Sequence, residues 1–407
     1  MSNEIREEEM SLDMDFDNVD LSDVGDDDLA DMDLSSFGEV DDTIEFPHVK
    51  VSTKDFKEFL KVAKTVCSSG GRDVVSKAVC LKAEGDKLVC RSTDFDVYIE
   101  QKLELLNVEN VLDEAVIIPT DILIKLAKAV PVNTIIYKND DKFFIRLYGG
   151  DIVLETYTLT TDKFEFIDEV EKVGTISAED LYAVMKDFSS VVTAAVSPAE
   201  RRIIFEKNKA YASYMWAILM SERAFANYDL KIKDISVLKS LTVGSEESIN
   251  VYQTKDENKI KRCVFEGTNF KYSFLVSDVT ISESMKDNVS SVIGDSGVFV
   301  DFLSLYKMVE VAADLPYSIG KVGINYSDDG IVIAIKTKKG NDNIFNIPGS
   351  KNGSTDPMAD ELVVQAKLLK IVLRSFASKS SVKVCVSDKG MGIVCDDYSA
   401  AIYSETK

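Results

Sequence analysis

From residue 46 onward, the hydrophobic pattern switches repeatedly between two periods. In VKVSTKDFKEFLKVAKTVCSS (residues 49–69) a short alternating stretch meets a Ser-Thr pair. After it, Phe56, Phe59, Leu60 and Ala63 recur at helical spacing. Ser, Thr and Asp at such a junction satisfy the free N–H groups of a helix start. The next stretch, SKAVCLKAEGDKLVCRSTDFDVYIEQKLEL (76–105), is strand-like and breaks at Glu84-Gly85-Asp86-Lys87, which has the chemistry of a hairpin turn. The pattern predicts a strand, a helix, then three strands.

The same order returns. AVIIPTDILIKLAKAV (115–130) is a strand, a Thr-Asp cap and a short helix, followed by strands with turns at Asn139-Asp140-Asp141-Lys142 and Gly149-Gly150. Units begin near residues 49, 115, 174, 229, 297 and 361. One helix on a few strands leaves an apolar face on each element and cannot close a core alone. Six units therefore pair into three domains, 46–168, 173–283 and 296–407. The expected joints are IDEVEKV (167–173) and a loose, charged SESMKDNVSSVIGDSG (282–297), and PGSKNGSTDP (348–357) reads as a mobile loop. Cys80 and Cys90 flank the turn of the first unit, as Cys385 and Cys395 flank that of the last. They read as small buried strand residues, with a cross-strand disulfide as the alternative.

Charge separates the first 45 residues from the rest. The formal net charge is −23 over 407 residues, yet residues 1–45 hold 18 acids and a single base, Arg6. The body is nearly balanced, so its overall acidity does not argue against nucleic-acid binding. The opening stretch MSLDMDFDNVDLSDVGDDDLADMDLSSF (10–37) alternates acids with large apolar residues and reads as a solvated tail outside the repeat. The single histidine, His48, stands without a nucleophile motif, and the six cysteines contain no C-x-x-C. No Walker loop or G-x-G-x-x-G is present. Asp328-Asp329 and Asp396-Asp397 fall where turns are expected, so turn chemistry is favoured over metal catalysis. The acidic N-terminus is unlike a signal peptide and no apolar run approaches membrane length, so a soluble, cytoplasmic protein with reduced thiols is expected.

Three domains of two halves each resemble the bacterial DNA polymerase III β-subunit, the replicative sliding clamp. Ser92-Thr93-Asp94-Phe95-Asp96 resembles the family's ATDxE segment. AVIIPTDILIKLAKAVP resembles its vlvPaklLldivkklP, with Pro119, Leu123 and Pro131 in place. DIVLETYTLTTDKFEF (151–166) resembles the close of the first domain without its proline. The likeness covers residues 46–407 in architecture and 46–168 in motif. Two segments depart from it. Ala212-Ser213-Tyr214-Met215-Trp216-Ala217-Ile218 stands for ATDGHRLA, and the chain end reads Ala400-Ala401-Ile402-Tyr403-Ser404 instead of MPMRL.

The resemblance implies an α+β, three-domain sliding-clamp fold built from six helix-plus-sheet repeats. It implies a homodimer closed head to tail into a ring around duplex DNA, in a bacterial cell or a virus-infected host. It implies sequence-independent binding of double-stranded DNA, a DNA polymerase and a clamp loader as partners, and no cofactor, catalysis or membrane. The helices should then turn lysines toward phosphate. Lys54, Lys57, Lys61 and Lys64 are spaced 3, 4 and 3 on one helix face. Lys125 and Lys128 come from the second helix, Lys186 from the third, Lys233 and Lys239 from the fourth. Lys367, Lys370 and Arg374 come from the last, and Arg72 from the loop after the first. An ordinary solvated helix face is the competing reading of such stripes. Met215, Trp216, Ile402 and Tyr403 stand where the family builds its partner-peptide pocket.

Partners of that family dock a Q-x-D/S-L-x-F peptide, and Ser11-Leu12-Asp13-Met14-Asp15-Phe16 fits this frame with Leu12, Met14 and Phe16 as its apolar positions. Leu34 and Phe37 form a looser copy. A clamp-fold adaptor that tethers a transcription factor or RNA polymerase, and a binding protein that lost DNA, are the competing functions. If the tail competes with partner peptides, deleting residues 1–45, or changing Leu12 and Phe16 to Ala, tightens the binding of such a peptide in a fluorescence titration. Equal affinity with and without the tail rules the competition out.

Overall fold

The computed structural model describes residues 44–67, 73–148, 150–166, 170–206, 208–222, 227–256, 259–277, 279–353, 355–358 and 360–403. All belong to one of the two parts into which the chain divides, Ile44–Lys407. No helix among them is long and apolar enough to cross a membrane.

The unit of strand, helix and three strands occurs six times. The first is β1 (His48–Ser52), α1 (Thr53–Val66), β2 (Ala78–Glu84), β3 (Lys87–Thr93) and β4 (Val97–Glu104). The second is β5 (Val116–Pro119), α2 (Thr120–Leu126), β6 (Asn133–Asn139), β7 (Lys142–Leu147) and β8 (Gly150–Val153). The third is β9 (Glu171–Ser177), α3 (Ala178–Ala194), β10 (Arg202–Glu206), β11 (Lys209–Tyr214) and β12 (Ala217–Ser221). The fourth is β13 (Tyr228–Lys231), α4 (Ile232–Thr242), β14 (Ser248–Asp256), β15 (Lys259–Glu266) and β16 (Phe270–Leu275). A connecting helix, α5 (Glu283–Val292), precedes the fifth: β17 (Gly297–Asp301), α6 (Phe302–Asp314), β18 (Ser318–Ser327), β19 (Gly330–Thr337) and β20 (Asn343–Asn352). The sixth is β21 (Leu362–Gln365), α7 (Ala366–Arg374), β22 (Ser381–Val386), β23 (Gly390–Cys395) and β24 (Tyr398–Tyr403). Helix starts follow the sequence punctuation. Ser52, Ser177 and Asp301 accept the backbone N–H of the third helical residue with their side chains, capping α1, α3 and α6.

Within each pair the units exchange their first strands. β5 completes the sheet β2-β3-β4, and β1 completes β6-β7-β8. Likewise β9 joins β14-β15-β16 and β13 joins β10-β11-β12; β17 and β21 exchange in the same way. This exchange is why a lone unit is incomplete: its own sheet lacks a strand, and its helix needs two sheets to bury against. The sheets then run on from pair to pair. β4 pairs antiparallel with β16, from Val97↔Phe274 to Gln101↔Phe270, and β12 pairs with β24, from Ala217↔Ile402 to Ser221↔Tyr398. The result is one eight-stranded and one twelve-stranded sheet beside the four-stranded β1-β6-β7-β8. β17 also pairs with the end of β20.

The helices lie together on one side. α1 contacts α2, α3 contacts α4 and α6 contacts α7 within the pairs, while α1–α4 and α3–α7 meet across the seams. The row therefore runs α2–α1–α4–α3–α7–α6. Alternate strand residues such as Ile203, Phe205, Ala212, Leu219 and Ile402 face the helices. Their neighbours Ile204, Tyr211, Ile218 and Ala401 face away, and α5 covers them with Val289 and Val292. The segment expected to be loose at 282–297 is thus largely a docked helix, capped by Ser282. Gly392 lets it lie flat, since a Cβ there would stand 2.9 Å from the Val292 carbonyl.

One other expectation shifts, and the reading of the cysteines as strand residues without a disulfide agrees with the structure. Residues 348–352 of the expected mobile loop are the end of β20, held by β17. All six cysteines are free. Cys80 pairs in register with Arg91 and Cys90 with Leu81, so the two thiols point to opposite faces. The Asp328-Asp329 and Asp396-Asp397 pairs occupy the β18–β19 and β23–β24 turns, as turn chemistry predicts.

One buried acid marks the start of α4. Asp234 accepts the Lys231 N–H at 3.0 Å and the Tyr272 hydroxyl at 2.7 Å. Burial nevertheless pushes its pKa up to about 6, against the opposing effect of these two bonds. A raised carboxyl contributes stability below its ordinary value near 3.8 and loses it as pH rises through about 6. Asp234→Asn is therefore expected to flatten this part of the stability profile. Between pH 4 and 7 the variant gains about 2 kcal/mol on the parent, measured by urea unfolding.

Candidate nucleic-acid interface

Helix α1 separates its faces cleanly. Phe56, Phe59, Leu60, Ala63 and Val66 are buried, Lys54, Lys61 and Lys64 are exposed, and Lys57 is half-buried. Two acids, Asp55 and Glu58, share the exposed surface, so the helix keeps a positive balance. Lys125 and Lys128 are exposed on α2 and on the turn that follows it. Lys186 on α3 and Lys367 on α7 are exposed too, and Lys239 on α4 is half-buried. The helix contacts place these lysines along one continuous row.

Several of the cations are engaged within the chain, Lys239 with the Ser189 hydroxyl at 3.3 Å among them. The Lys233 ammonium lies 2.5 Å from Asp94 Oδ2 and donates to the Val66 carbonyl at 2.9 Å. It ties α4 to the end of α1 and to the β3–β4 turn. Arg262 reinforces that seam by donating to the carbonyls of Phe95 and Asp96. Lys370 pairs with Asp314 at 2.9 Å and Glu310 at 3.5 Å, joining α7 to α6. Arg374 Nε lies 3.4 Å from the Tyr306 hydroxyl. Arg72 lies outside the described residues. The spacing rule that found these residues reports a helix face, and it carries no information about the acids that tertiary packing brings beside it.

The residues expected to form a peptide pocket come together, but not as one surface. Met215 and Trp216 form the β11–β12 turn and are each about half exposed, at 48% and 51%. Met215 has φ of 51°, the left-handed value that a two-residue hairpin turn requires. The Tyr403 N–H donates to the Trp216 carbonyl at 2.8 Å. Ile402 is fully buried and faces the helices. The Tyr403 hydroxyl is buried with no hydrogen-bond partner among the described residues, and burial pushes its pKa up to about 12. The tail positions Leu12, Met14 and Phe16 lie outside the described residues.

The sequence led to the expectation of an edge strand of the first domain that pairs with the third domain of a second copy, but did not place its residues; among the open strand edges are the last strands of the second and fifth units. The chain leaves β8 paired only with β7, and residues 343–348 of β20 pair only with β19. Ile152 and Val153 on β8 and Ile344 on β20 are exposed at 44%, 52% and 70%. The sequence signal, a short apolar pair after Gly149-Gly150, is too brief to distinguish an edge from an interior strand.

The α1 lysines and Lys233 are separable by experiment. Changing Lys57, Lys61 and Lys64 together to Met should lower the slope of log affinity for duplex DNA against log salt by about two to three, in fluorescence anisotropy. Lys233→Met should leave that slope unchanged and instead cost about 1–3 kcal/mol of stability in urea unfolding, because Asp94 loses its partner.

No protein-family model matches the chain, and no curated protein matches it in sequence. Solved structures do. The DNA polymerase III subunit beta from Pseudomonas aeruginosa superposes with a TM-score of 0.69 at 15% identity, covering 88% of this chain and 100% of that one. The DNA polymerase sliding clamp from Bacillus subtilis gives 0.69 at 12% identity, with 89% and 100% covered. The beta subunit from DNA polymerase of Streptococcus pyogenes gives 0.68 at 11% identity, with 88% and 100% covered. The described body, with its six exchanged units and its single row of helices, has the fold of the bacterial DNA polymerase sliding clamps.

Proposed function

We propose that the protein is a DNA sliding clamp, a homodimeric ring that encircles duplex DNA without reading its sequence and tethers a polymerase to it. Each chain supplies three domains, at 46–168, 173–283 and 296–407. The observation that carries this reading is the pairing rule among the units. The first unit joins the fourth through β4–β16 and α1–α4, and the third joins the sixth through β12–β24 and α3–α7. The second and fifth units are left over, each with a last strand, β8 or β20, still open on one side. Applying the same rule once more, between two copies, pairs β8 of each with β20 of the other and sets α2 beside α6. Exposed Ile152, Val153, Ile344 and Leu303 stand at those open ends, where strand addition would cover them. Two such contacts close the assembly, and edge N–H and C=O groups gain partners.

Inside the ring the helix row would meet phosphate with lysines of α1, α2, α3, α4 and α7. Topological retention needs only a mild, sequence-independent attraction of this kind. The protein acts as a scaffold and adaptor in this reading. A loader opens the ring, and polymerase peptides dock at the half-exposed Met215-Trp216 turn.

Light scattering should give a mass of twice the 45.1 kDa chain, and small-angle scattering an annular particle. The double change Ile152→Asp and Ile344→Asp should reduce the mass to one chain while leaving the circular dichroism spectrum unchanged. A parent protein that stays monomeric at high concentration overturns closed-ring formation by this chain alone.

A further inference from the structure

Among the described residues, six other than glycine have a positive φ. Four of them are Asn110, Asp140, Asn208 and Asp396, residue types that accept the left-handed region because their short polar side chains bond locally. The two exceptions are Phe95, at 73°, and Met215, at 51°. Both are large, apolar and about half exposed. Each stands in the hairpin turn before a strand that forms a seam, β4 with β16 for Phe95 and β12 with β24 for Met215. Across each seam the facing unit has a polar turn instead, Gly267-Thr268-Asn269 before β16 and Asp396-Asp397 before β24.

The β3–β4 turn is tied down on all sides around Phe95. The Asp94 N–H donates to the Val97 carbonyl at 3.1 Å, the Val97 N–H to Asp94 Oδ1 at 2.7 Å and the Phe95 N–H to Thr93 Oγ1 at 3.0 Å. From across the seam, Arg262 donates to the Phe95 and Asp96 carbonyls at 2.9 and 3.2 Å, and Lys233 holds Asp94. A bulky side chain in the left-handed region is strained, and it persists only where its surroundings over-determine it in this way. The Phe95 ring returns little to the fold. It is 51% exposed and belongs to none of the buried apolar clusters.

The second pair of units adds cations beside this ring. Lys231, exposed at the start of α4, reaches the carbonyl of Leu275 at 3.4 Å, and Leu275 pairs in register with Arg262. Lys271 lies four residues back along β16, about 13 Å away, with its ammonium over the Phe166 ring. Neither lysine forms an ion pair among the described residues. Asp94 is taken by Lys233, which leaves Asp96 as the exposed acid of the turn.

We infer that Phe95 anchors a docking point at the first seam for a short, extended segment of a partner protein that carries a large apolar side chain between carboxylates. The apolar side chain packs on the outward ring, and the carboxylates meet Lys231 and Lys271. The proposed function places peptides only at the second seam. This point is separate from that one and needs neither a ring nor DNA.

The test uses the full chain. Phe95→Asn installs the residue type already present at Asn110 and Asn208, so relief of strain is expected to raise the midpoint of thermal unfolding. A lower midpoint means that the ring holds the fold, and overturns the inference. Docking is read from the anisotropy of a fluorescein-labelled peptide, Glu-Asp-Leu-Asp-Leu-Phe, in a Trp216→Ala background that takes the second-seam turn out of the comparison. The background is expected to bind the peptide, added Lys231→Glu to weaken it about tenfold, and added Phe95→Asn to abolish binding. Equal binding with and without Phe95→Asn overturns the inference. Complete loss of binding with Trp216→Ala alone also overturns it and leaves the proposed function standing. A parent that binds no peptide counts against both this point and the peptide role of the Met215-Trp216 turn. If Phe95→Asn lowers the mass in light scattering and leaves peptide binding intact, the occupant is a second copy of the chain and the inference falls.

Discussion

Every level of this fold depends on the satisfaction of strand edges. A unit of one helix and three consecutive strands has an open sheet edge, and the first strand of its neighbour fills it. That exchange binds two units into a pair with a common core. The same demand, repeated at β4–β16 and β12–β24, links pairs into long sheets. Backbone hydrogen bonds of this kind tolerate almost any side chain, which explains how the fold persists at 11–15% identity to the bacterial clamps. The apolar core runs on across both seams, from Val62, Val66, Val97 and Ile99 into the second pair and from there into the third, and polar side chains add the Ser190 and Ser375 hydroxyls 3.0 Å apart between α3 and α7 and the Lys233 and Arg262 contacts between the first and second pairs.

The sheet layer leaves the helices a single free face, and the charge on that face is uneven. α1 carries four lysines against Asp55 and Glu58, whereas α6 carries Lys307 beside Glu310 and Asp314. Lys370 is spent on those same acids. The positive charge of the row is therefore concentrated on α1 and α2. On the opposite face, α5 seals the apolar row of Ile204, Tyr211, Ile218 and Ala401, so the exposed apolar surface near the second seam narrows to the Met215-Trp216 turn.

The repeat was legible because local chemistry repeats. Caps at Ser52, Ser177 and Asp301, and turns at Gly85-Asp86 and Asp140-Asp141, are decided within a few residues of themselves. α5 was not legible in the same way. Its segment looks polar and loose because few side chains, Val289, Val292 and Lys286 on Glu206 among them, anchor it, and they matter only once Gly392 and the outer sheet face lie beneath them. Residues 348–352 likewise become strand through the accident of facing β17. The candidate site divided along the same line. Lysine spacing on α1 is a local property and carried over to an exposed face. Lys233 is also correctly spaced, yet Asp94, 139 residues away in sequence, takes it as a partner.

The amino-acid sequence alone determined the six units, their order and the helix faces that carry charge, because hydrophobic period, caps and turns act over a few residues. Tertiary structure decided which strands exchange, which edges stay open at β8 and β20, and which lysines are neutralised. Those outcomes depend on pairings between residues far apart in the chain, where register and the arrival of a distant carboxylate leave no trace in local pattern.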